Sequence, residues 1–83
     1  MELVALRTFL TVVEEGGILS ASRKLNTVQS NVTNRIKRLE EELGAELFYR
    51  RGRGLELAPS GRVLLDHTHQ ILQLESRAGA AVR

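Results

Sequence analysis

The sequence contains no cysteine, which excludes disulfide bonds and thiolate metal sites and favours a reducing compartment. It also lacks any run of 18 apolar residues, the length that indicates a membrane-spanning helix. The first residues have neither the basic start nor the apolar core of a secretory signal. We therefore expect a cytoplasmic protein that has no membrane partner.

The length of 83 residues leaves room for one small domain. Such a domain buries only about 60% of the surface that its unfolded chain exposes, so oligomerisation is a common source of extra stability. A substrate cleft does not fit beside so small a core, and we expect neither an enzyme nor a cofactor. The chain stops at Arg83 without a capping glycine or a polar tail, which leads us to expect a piece of a longer protein.

Acidic residues are scarce in the middle of the chain. None occurs between Gly16 and Leu39. Positions 16 to 53 hold eight basic and four acidic residues, a net charge of 8 − 4 = +4, whereas the remainder has four basic and six acidic residues and nets −2. A one-sided basic segment is typical of proteins that bind polyanions. A solvated charged surface would give the same pattern, so charge alone leaves both interpretations open.

Two helices are predicted in the first third of the chain. Apolar residues at three- and four-residue spacing predict a helix over residues 2–15. Gly16-Gly17 should end it, because glycine readily adopts the left-handed conformation of helix ends. A second, short helix is expected over residues 18–25, with Ser20 as its candidate cap. Residues 26–28 then form a tight connection.

A third helix is predicted from position 28 or 29 to position 43, with Gly44 at its end. Its buried stripe consists of apolar residues at helical spacing. Those residues are Val32, Ile36, Leu39 and Leu43. Polar residues occupy the opposite face, namely Ser30, Asn34, Lys37 and Glu41, with Thr33 and Arg38 flanking them.

A β-hairpin should follow the third helix, because two short extended segments, 47–50 and 55–57, enclose a glycine-containing basic turn at 51–54. Residues 58–61 are expected to be a break. Pro59 or Ser60 then opens a last helix, since proline is favoured in the first helical turn.

The last helix carries an apolar stripe that steps by three and four residues, as in a heptad repeat. Its members are Leu64, His67, Ile71, Leu74, Ala78 and Ala81. A lone helix that projects from a small core is unstable in water, so we expect this stripe to form a homodimer interface. The alternative is that the helix folds back onto its own domain.

The fold class that follows is mainly α: a three-helix winged helix-turn-helix over residues 1–58, then a long dimerisation helix over residues 59–83. A recognition helix fits the major groove of DNA, where its first residues reach the base edges. The candidates for base contacts are Gln29, Ser30, Asn31, Thr33 and Asn34. A helix start with merely solvated polar residues is the alternative.

Basic side chains around this helix are candidates for contacts with phosphates or the minor groove. Arginines in a glycine-containing turn suit the minor-groove potential, and other basic side chains contact phosphates without reading sequence. The candidates are Arg23, Arg35, Lys37, Arg38, Arg50, Arg51 and Arg53. The alternative for the basic turn is an exposed loop whose charges only keep it soluble.

Several segments jointly resemble the N-terminal DNA-binding domain of LysR-type transcriptional regulators, almost from end to end. They are Leu6-Arg7-Thr8-Phe9, Glu14-Glu15-Gly16, Ala21-Ser22-Arg23-Lys24-Leu25, Gln29, Ile36-Lys37-Arg38-Leu39-Glu40-Glu41-Glu42-Leu43-Gly44, Leu47-Phe48, Arg50-Arg51 and Leu57-Ala58-Pro59-Ser60-Gly61. The resemblance implies a winged helix, a linker helix that pairs antiparallel with its mate, an interrupted palindromic operator and a following effector-binding domain. It leaves open whether dimers assemble further.

Four positions depart from the pattern of that family. Val28 stands where a serine usually caps the recognition helix, so Thr27 is the expected cap. Ser30 and Asn31 replace a common proline and a common alanine, and Ala58 replaces a common threonine. The changes at 28, 30 and 31 affect the expected base preference and leave the binding mode intact.

Other functions are less consistent with these residues. His67 and His69 point in nearly opposite directions on a helix and cannot share a metal ion. Glu40, Glu41 and Glu42 are expected to be solvated or paired with Lys37 or Arg38. A protein-docking winged helix would need aromatic anchors on the third helix, which has none. A pure coiled-coil module would leave the first 58 residues without a role.

Overall fold

The computed structural model describes residues 1–52 and 54–83, and within them the chain forms four helices and one β-hairpin. The elements in order are α1 (Leu3–Glu15), α2 (Ile18–Lys24), α3 (Gln29–Leu43), β1 (Phe48–Arg51), β2 (Gly54–Leu57) and α4 (Pro59–Val82). The predicted mainly helical, winged architecture is confirmed. Arg53, one of the predicted contact residues, lies outside the described residues.

The core lies where α1, α2 and α3 meet the start of the hairpin. Phe9, Ala21 and Val32 contribute one fully buried side chain from each of these helices. The Phe9 ring contacts the Phe48 ring, with centroids 5.5 Å apart, so β1 is packed directly onto α1. The other buried members of this cluster are Val12, Ile36, Leu39 and Leu47. This packing holds Val32, Ile36 and Leu39 of α3 inward. The expectation that Leu43 belongs to the buried stripe is wrong, because its side chain is 42% exposed at the end of the helix.

The helix ends follow glycine, but two predicted side-chain caps are wrong. Gly16 and Gly44 end α1 and α3 in the left-handed conformation, as expected. Ser20 caps nothing, because α2 begins directly after Gly17 and Ser20 lies inside the helix. Thr27 does not cap α3 either. The capping position belongs to the extended Val28, which provides no side-chain hydrogen bond, and Thr27 is one residue too far upstream.

The two strands pair antiparallel, and their register decides which side each wing residue faces. Arg50 lies opposite Leu55, and Tyr49 lies opposite Glu56. Because side chains alternate along a strand, Arg50 shares the face of the buried Phe48, whereas Tyr49 and Arg51 lie on the other face. The hairpin therefore has a core-side face and an outer face.

Helix α4 begins at Pro59, and Gly61 is a buried member of its first turn. The helix opens at Pro59, as expected, so the expected break at residues 58–61 is wrong from position 59 onwards. A Cβ atom at this position would lie 2.2 Å from the backbone oxygen of Leu47 and 2.6 Å from Cδ1 of Leu57. Glycine is needed here because the helix approaches the start of the hairpin so closely.

Helix α4 packs against its own domain through one face and leaves another face uncovered. Leu65 packs against the core, Thr68 is fully buried, and Arg7 of α1 forms an ion pair with Glu75 over 2.6 Å. Of the predicted dimer stripe, Leu64 and Ile71 are half-buried. The exposed members are His67, Leu74, Ala78 and Ala81. Within the described residues, no helix is long and apolar enough to cross a bilayer.

Candidate nucleic-acid interface

The first turns of α3 present polar side chains to solvent. Gln29, Ser30, Asn31 and Asn34 are exposed, and Thr33 is half-buried. Val32 and Ile36 anchor the opposite side of the helix in the core. The predicted base-contact residues therefore lie on the surface.

An open groove joins the start of α3 to the wing. Gln29 and Thr33 line it from α3, and Arg50 lines it from β1, around a volume of about 460 Å³. The remaining lining residues are Gly16, Gly17, Ile18, Leu19, Ser20, Gly52, Gly54 and Leu55. The fold thus brings predicted base-contact residues and a predicted wing arginine to one side of the molecule.

Leu19 and Ser20, from the start of α2, were not expected in this groove. Leu19 is a large apolar side chain that stays 46% exposed. The sequence carries no signal for its place, because the groove forms only when three segments that are distant along the chain pack together. Val28, also exposed at 60%, lies next to Gln29 at the start of α3.

The Asn31 side chain has a partner within the protein. Its Nδ2 donates a hydrogen bond to the Thr27 hydroxyl over 2.8 Å. An amide group has two donors and an acceptor, so among the residues that the structure describes one amide hydrogen and the amide oxygen of Asn31 remain available. The Thr27 contact holds the orientation of Asn31 at the edge of the exposed face.

The two described wing arginines have different surroundings. Arg51 Nε lies 3.3 Å from a carboxylate oxygen of Glu56 on the neighbouring strand, and its guanidinium lies 5.5 Å from the centre of the Tyr49 ring. Arg50 lies on the other face of the hairpin and lines the groove with α3. Arg50 is therefore the wing arginine directed towards the recognition helix.

The other residues predicted to contact the DNA backbone also differ in their surroundings. Arg23, Lys37 and Arg38 are exposed. Arg35 is half-buried, and its guanidinium donates to the Thr8 hydroxyl of α1 over 3.3 Å. Arg35 thus links α3 to α1.

The three consecutive glutamates of α3 are not equivalent, and the expectation that they are solvated or paired with Lys37 or Arg38 is wrong for Glu40, whereas Glu41 and Glu42 are exposed. Glu42 forms an ion pair with the α-amino group of Met1. Glu40 is half-buried and accepts hydrogen bonds from the backbone of Leu47 and Phe48. Glu41 is exposed, as expected.

Comparison with known proteins agrees with this geometry. The model of the family described as bacterial regulatory helix-turn-helix protein, lysR family, matches residues 3–62. The chain is 52% identical over 73 residues, or 88% of its length, to the HTH-type transcriptional regulator CzcR of Bacillus thuringiensis strain Al Hakam. It is 44% identical over 82 residues, or 99% of its length, to GltR of Bacillus subtilis strain 168. The chain spans only 24% and 28% of these two relatives.

The solved structure of a complex between the DNA-binding domain of CbnR and DNA matches the whole of this chain. The two share 36% identity, with a TM-score of 0.92 and complete coverage of both chains. Their similarity includes all four helices and the wing. Since the family model also spans well over half of the sequence, this chain belongs to the LysR family of bacterial regulatory helix-turn-helix proteins.

Proposed function

We propose that this chain binds double-stranded DNA sequence-specifically, as the DNA-binding domain of a LysR-type transcriptional regulator that acts on the nucleoid in the cytoplasm. Helix α3 enters the major groove and the wing, residues 50–54, meets the minor groove and phosphates. The observation that carries the proposal is the groove that Gln29 and Thr33 share with Arg50. Related DNA-binding domains, those of CbnR and BenM, have been solved in complex with DNA.

Base reading is assigned to the exposed start of α3. An amide such as that of Gln29 can donate to and accept from one adenine at once, and hydroxyls such as those of Ser30 and Thr33 serve in either role. Asn34 lies one turn further along the same exposed side. Asn31 contributes with the part of its amide that Thr27 leaves free.

Positioning on the duplex is assigned to cations that surround this surface. Arg23, Lys37 and Arg38 are exposed and supply phosphate contacts, which set register without reading bases. Of the two described wing arginines, Arg50 supplies the wing contact, and Arg51 stays paired with Glu56 on the outer face of the hairpin. Arg35 is half-buried and bonded to Thr8, and the N–H groups that this bond leaves over supply a further phosphate contact.

A homodimer formed through α4 completes the proposed unit. The helix has 24 residues, about 36 Å at 1.5 Å per residue, and its own domain covers only one face. Leu74 is 61% exposed in the middle of the predicted stripe, where a second copy of the helix would bury it. A two-fold dimer places two copies of α3 on two half-sites, which fits an interrupted palindrome.

Selection of bound sequences from a random DNA pool tests the proposal. We expect enrichment of a motif with two inverted half-sites. Fluorescence anisotropy on the selected DNA should then show an affinity that falls about 10³–10⁵-fold between 50 and 200 mM salt if 6–10 phosphates are neutralised. Failure to enrich any sequence, or an affinity independent of salt, would contradict sequence-specific DNA binding.

A further inference from the structure

The carboxylate of Glu40 connects the recognition helix to the wing. Its Oε2 accepts a hydrogen bond from the backbone N–H of Leu47 over 2.7 Å and another from that of Phe48 over 3.4 Å. Leu47 directly precedes β1, and Phe48 is the first residue of that strand. A side chain of α3 therefore binds the backbone at the point where the wing begins.

Hydrogen bonds to a carboxylate are stronger than those between neutral groups, and these two are partly shielded from water by the half-burial of Glu40. The wing is also held by the Phe48 ring against Phe9 and by the Ala58 N–H, which donates to the Leu47 oxygen over 2.9 Å. Both of those contacts lead to α1 or α4. The Glu40 bonds lead to α3 itself, and they add polar contacts to the apolar cluster that Leu47 and Phe48 share with α3.

From this connection we infer that Glu40 is a positioning residue for DNA recognition, which holds the wing at the distance from α3 at which Arg50 and Gln29 reach one DNA duplex together. The inference rests on the proposed function. Arg50 lies two residues beyond Phe48 on the same strand and the same face, so a shift of Phe48 carries Arg50 with it. Glu40 itself does not contact DNA in this role.

The sign of the effect distinguishes positioning from simple charge. A carboxylate on a DNA-binding helix repels phosphates, so its removal should tighten binding if charge alone matters. Loss of a positioning contact should weaken binding instead. Glu41, the next residue of α3, is exposed and serves as the matched control, because Glu41→Ala removes the same charge from the same helix.

The experiment measures affinity of the protein for its selected DNA at 0.1 M salt by fluorescence anisotropy. Glu40→Ala should lower the affinity for DNA as much as Arg50→Ala does. The expected loss is about eightfold per wing, the contribution of one phosphate contact. Glu41→Ala should bind as tightly as the parent or more tightly. Glu40→Gln should bind like the parent, because its amide oxygen can still accept the Leu47 N–H.

A double variant shows whether Glu40 acts through the wing. In the Glu40→Ala background, Arg50→Ala should cause little further loss, whereas independent sites would lose affinity multiplicatively. The base preference at the position read by Gln29 should stay unchanged. Multiplicative losses, or tighter binding by Glu40→Ala, would overturn the inference, while failure of the parent protein to bind any DNA would instead refute the proposed function.

Folding is checked by circular dichroism, because Glu40→Ala could unfold so small a domain. Glu40→Asp is the second variant: it keeps the charge and shortens the side chain by one methylene group, so that it cannot span to Leu47 without a shift. A folded Glu40→Asp protein should bind more weakly than the parent. Parent-like binding by Glu40→Asp, or loss of folding in both variants, would overturn the positioning role.

Discussion

Replacement of Arg50 by alanine should reduce DNA affinity through the loss of one phosphate or minor-groove contact per wing. Arg50 is exposed and lines the groove with Gln29 and Thr33, so its guanidinium can meet a phosphate from the side of α3. Each neutralised phosphate of B-DNA contributes about 0.9 to the slope of log affinity against log salt. At 0.1 M salt, relative to 1 M, this is about eightfold per contact, or about 60-fold for the two wings of a dimer.

Fluorescence anisotropy titrations between 50 and 200 mM salt measure that slope. For the dimer, Arg50→Ala should make it shallower by about 1.8. Arg77→Ala is the matched control, because it removes the same charge from an exposed position far along α4. Its slope should equal that of the parent protein. An unchanged slope for Arg50→Ala, or an equal change for Arg77→Ala, would refute the assignment of a local contact to Arg50.

The neighbouring arginine supplies the contrasting case. Because Arg51 is paired with Glu56 on the outer face of the hairpin, the double variant Arg51→Ala/Glu56→Gln removes both charges of the pair and leaves the net charge unchanged. We expect its affinity and salt slope to remain close to those of the parent. A loss as large as that of Arg50→Ala would show that Arg51 leaves Glu56 to contact DNA.

Three further outcomes are expected. Gln29→Ala should cost about 1–3 kcal/mol on the selected operator and relax preference at one base position, which competition with single-base operator variants measures, and equal losses on random DNA would contradict its role. Leu74→Asp should give monomers in analytical ultracentrifugation, because a charge would be buried in the proposed interface, whereas an unchanged dimer would relocate that interface. Gly61→Ala should lower the free energy of unfolding, measured in urea titrations, by about 1–3 kcal/mol or more, because the added Cβ would lie 2.2 Å from the Leu47 oxygen. Parent-like stability would mean that the start of α4 can shift away from Leu47 without loss of stability.

The periodicity of the sequence predicted the helices well because burial of an apolar stripe is a local property of helical spacing. All four helices were found with bounds within one residue or so of the expected ones. Side-chain caps were predicted less well. Ser20 and Thr27 are suitable residue types, but capping requires a particular place relative to the first helical turn, and the extended Val28 occupies that place in α3.

The sequence predicted which residues belong to the candidate interface better than it predicted the side of the molecule that each of them faces. The polar start of α3 is exposed, as the opposite apolar stripe required. Arg50 and Arg51, adjacent and chemically identical, face opposite sides of the hairpin because side chains alternate along a strand. Arg35 binds Thr8, a residue 27 positions earlier, which no local pattern of α3 indicates.

Apolar spacing, glycine positions and the basic middle of the chain determined the element order, the family resemblance and the choice of α3 as the recognition helix. Those properties depend on residues that are close together along the chain, so they can be predicted from the sequence alone. Tertiary packing alone decided the groove between α2, α3 and the wing, the different partners of Arg50, Arg51 and Arg35, and the bond from Glu40 to the wing. Each of these depends on distances between segments that are set only when the common core around Phe9 and Phe48 is packed.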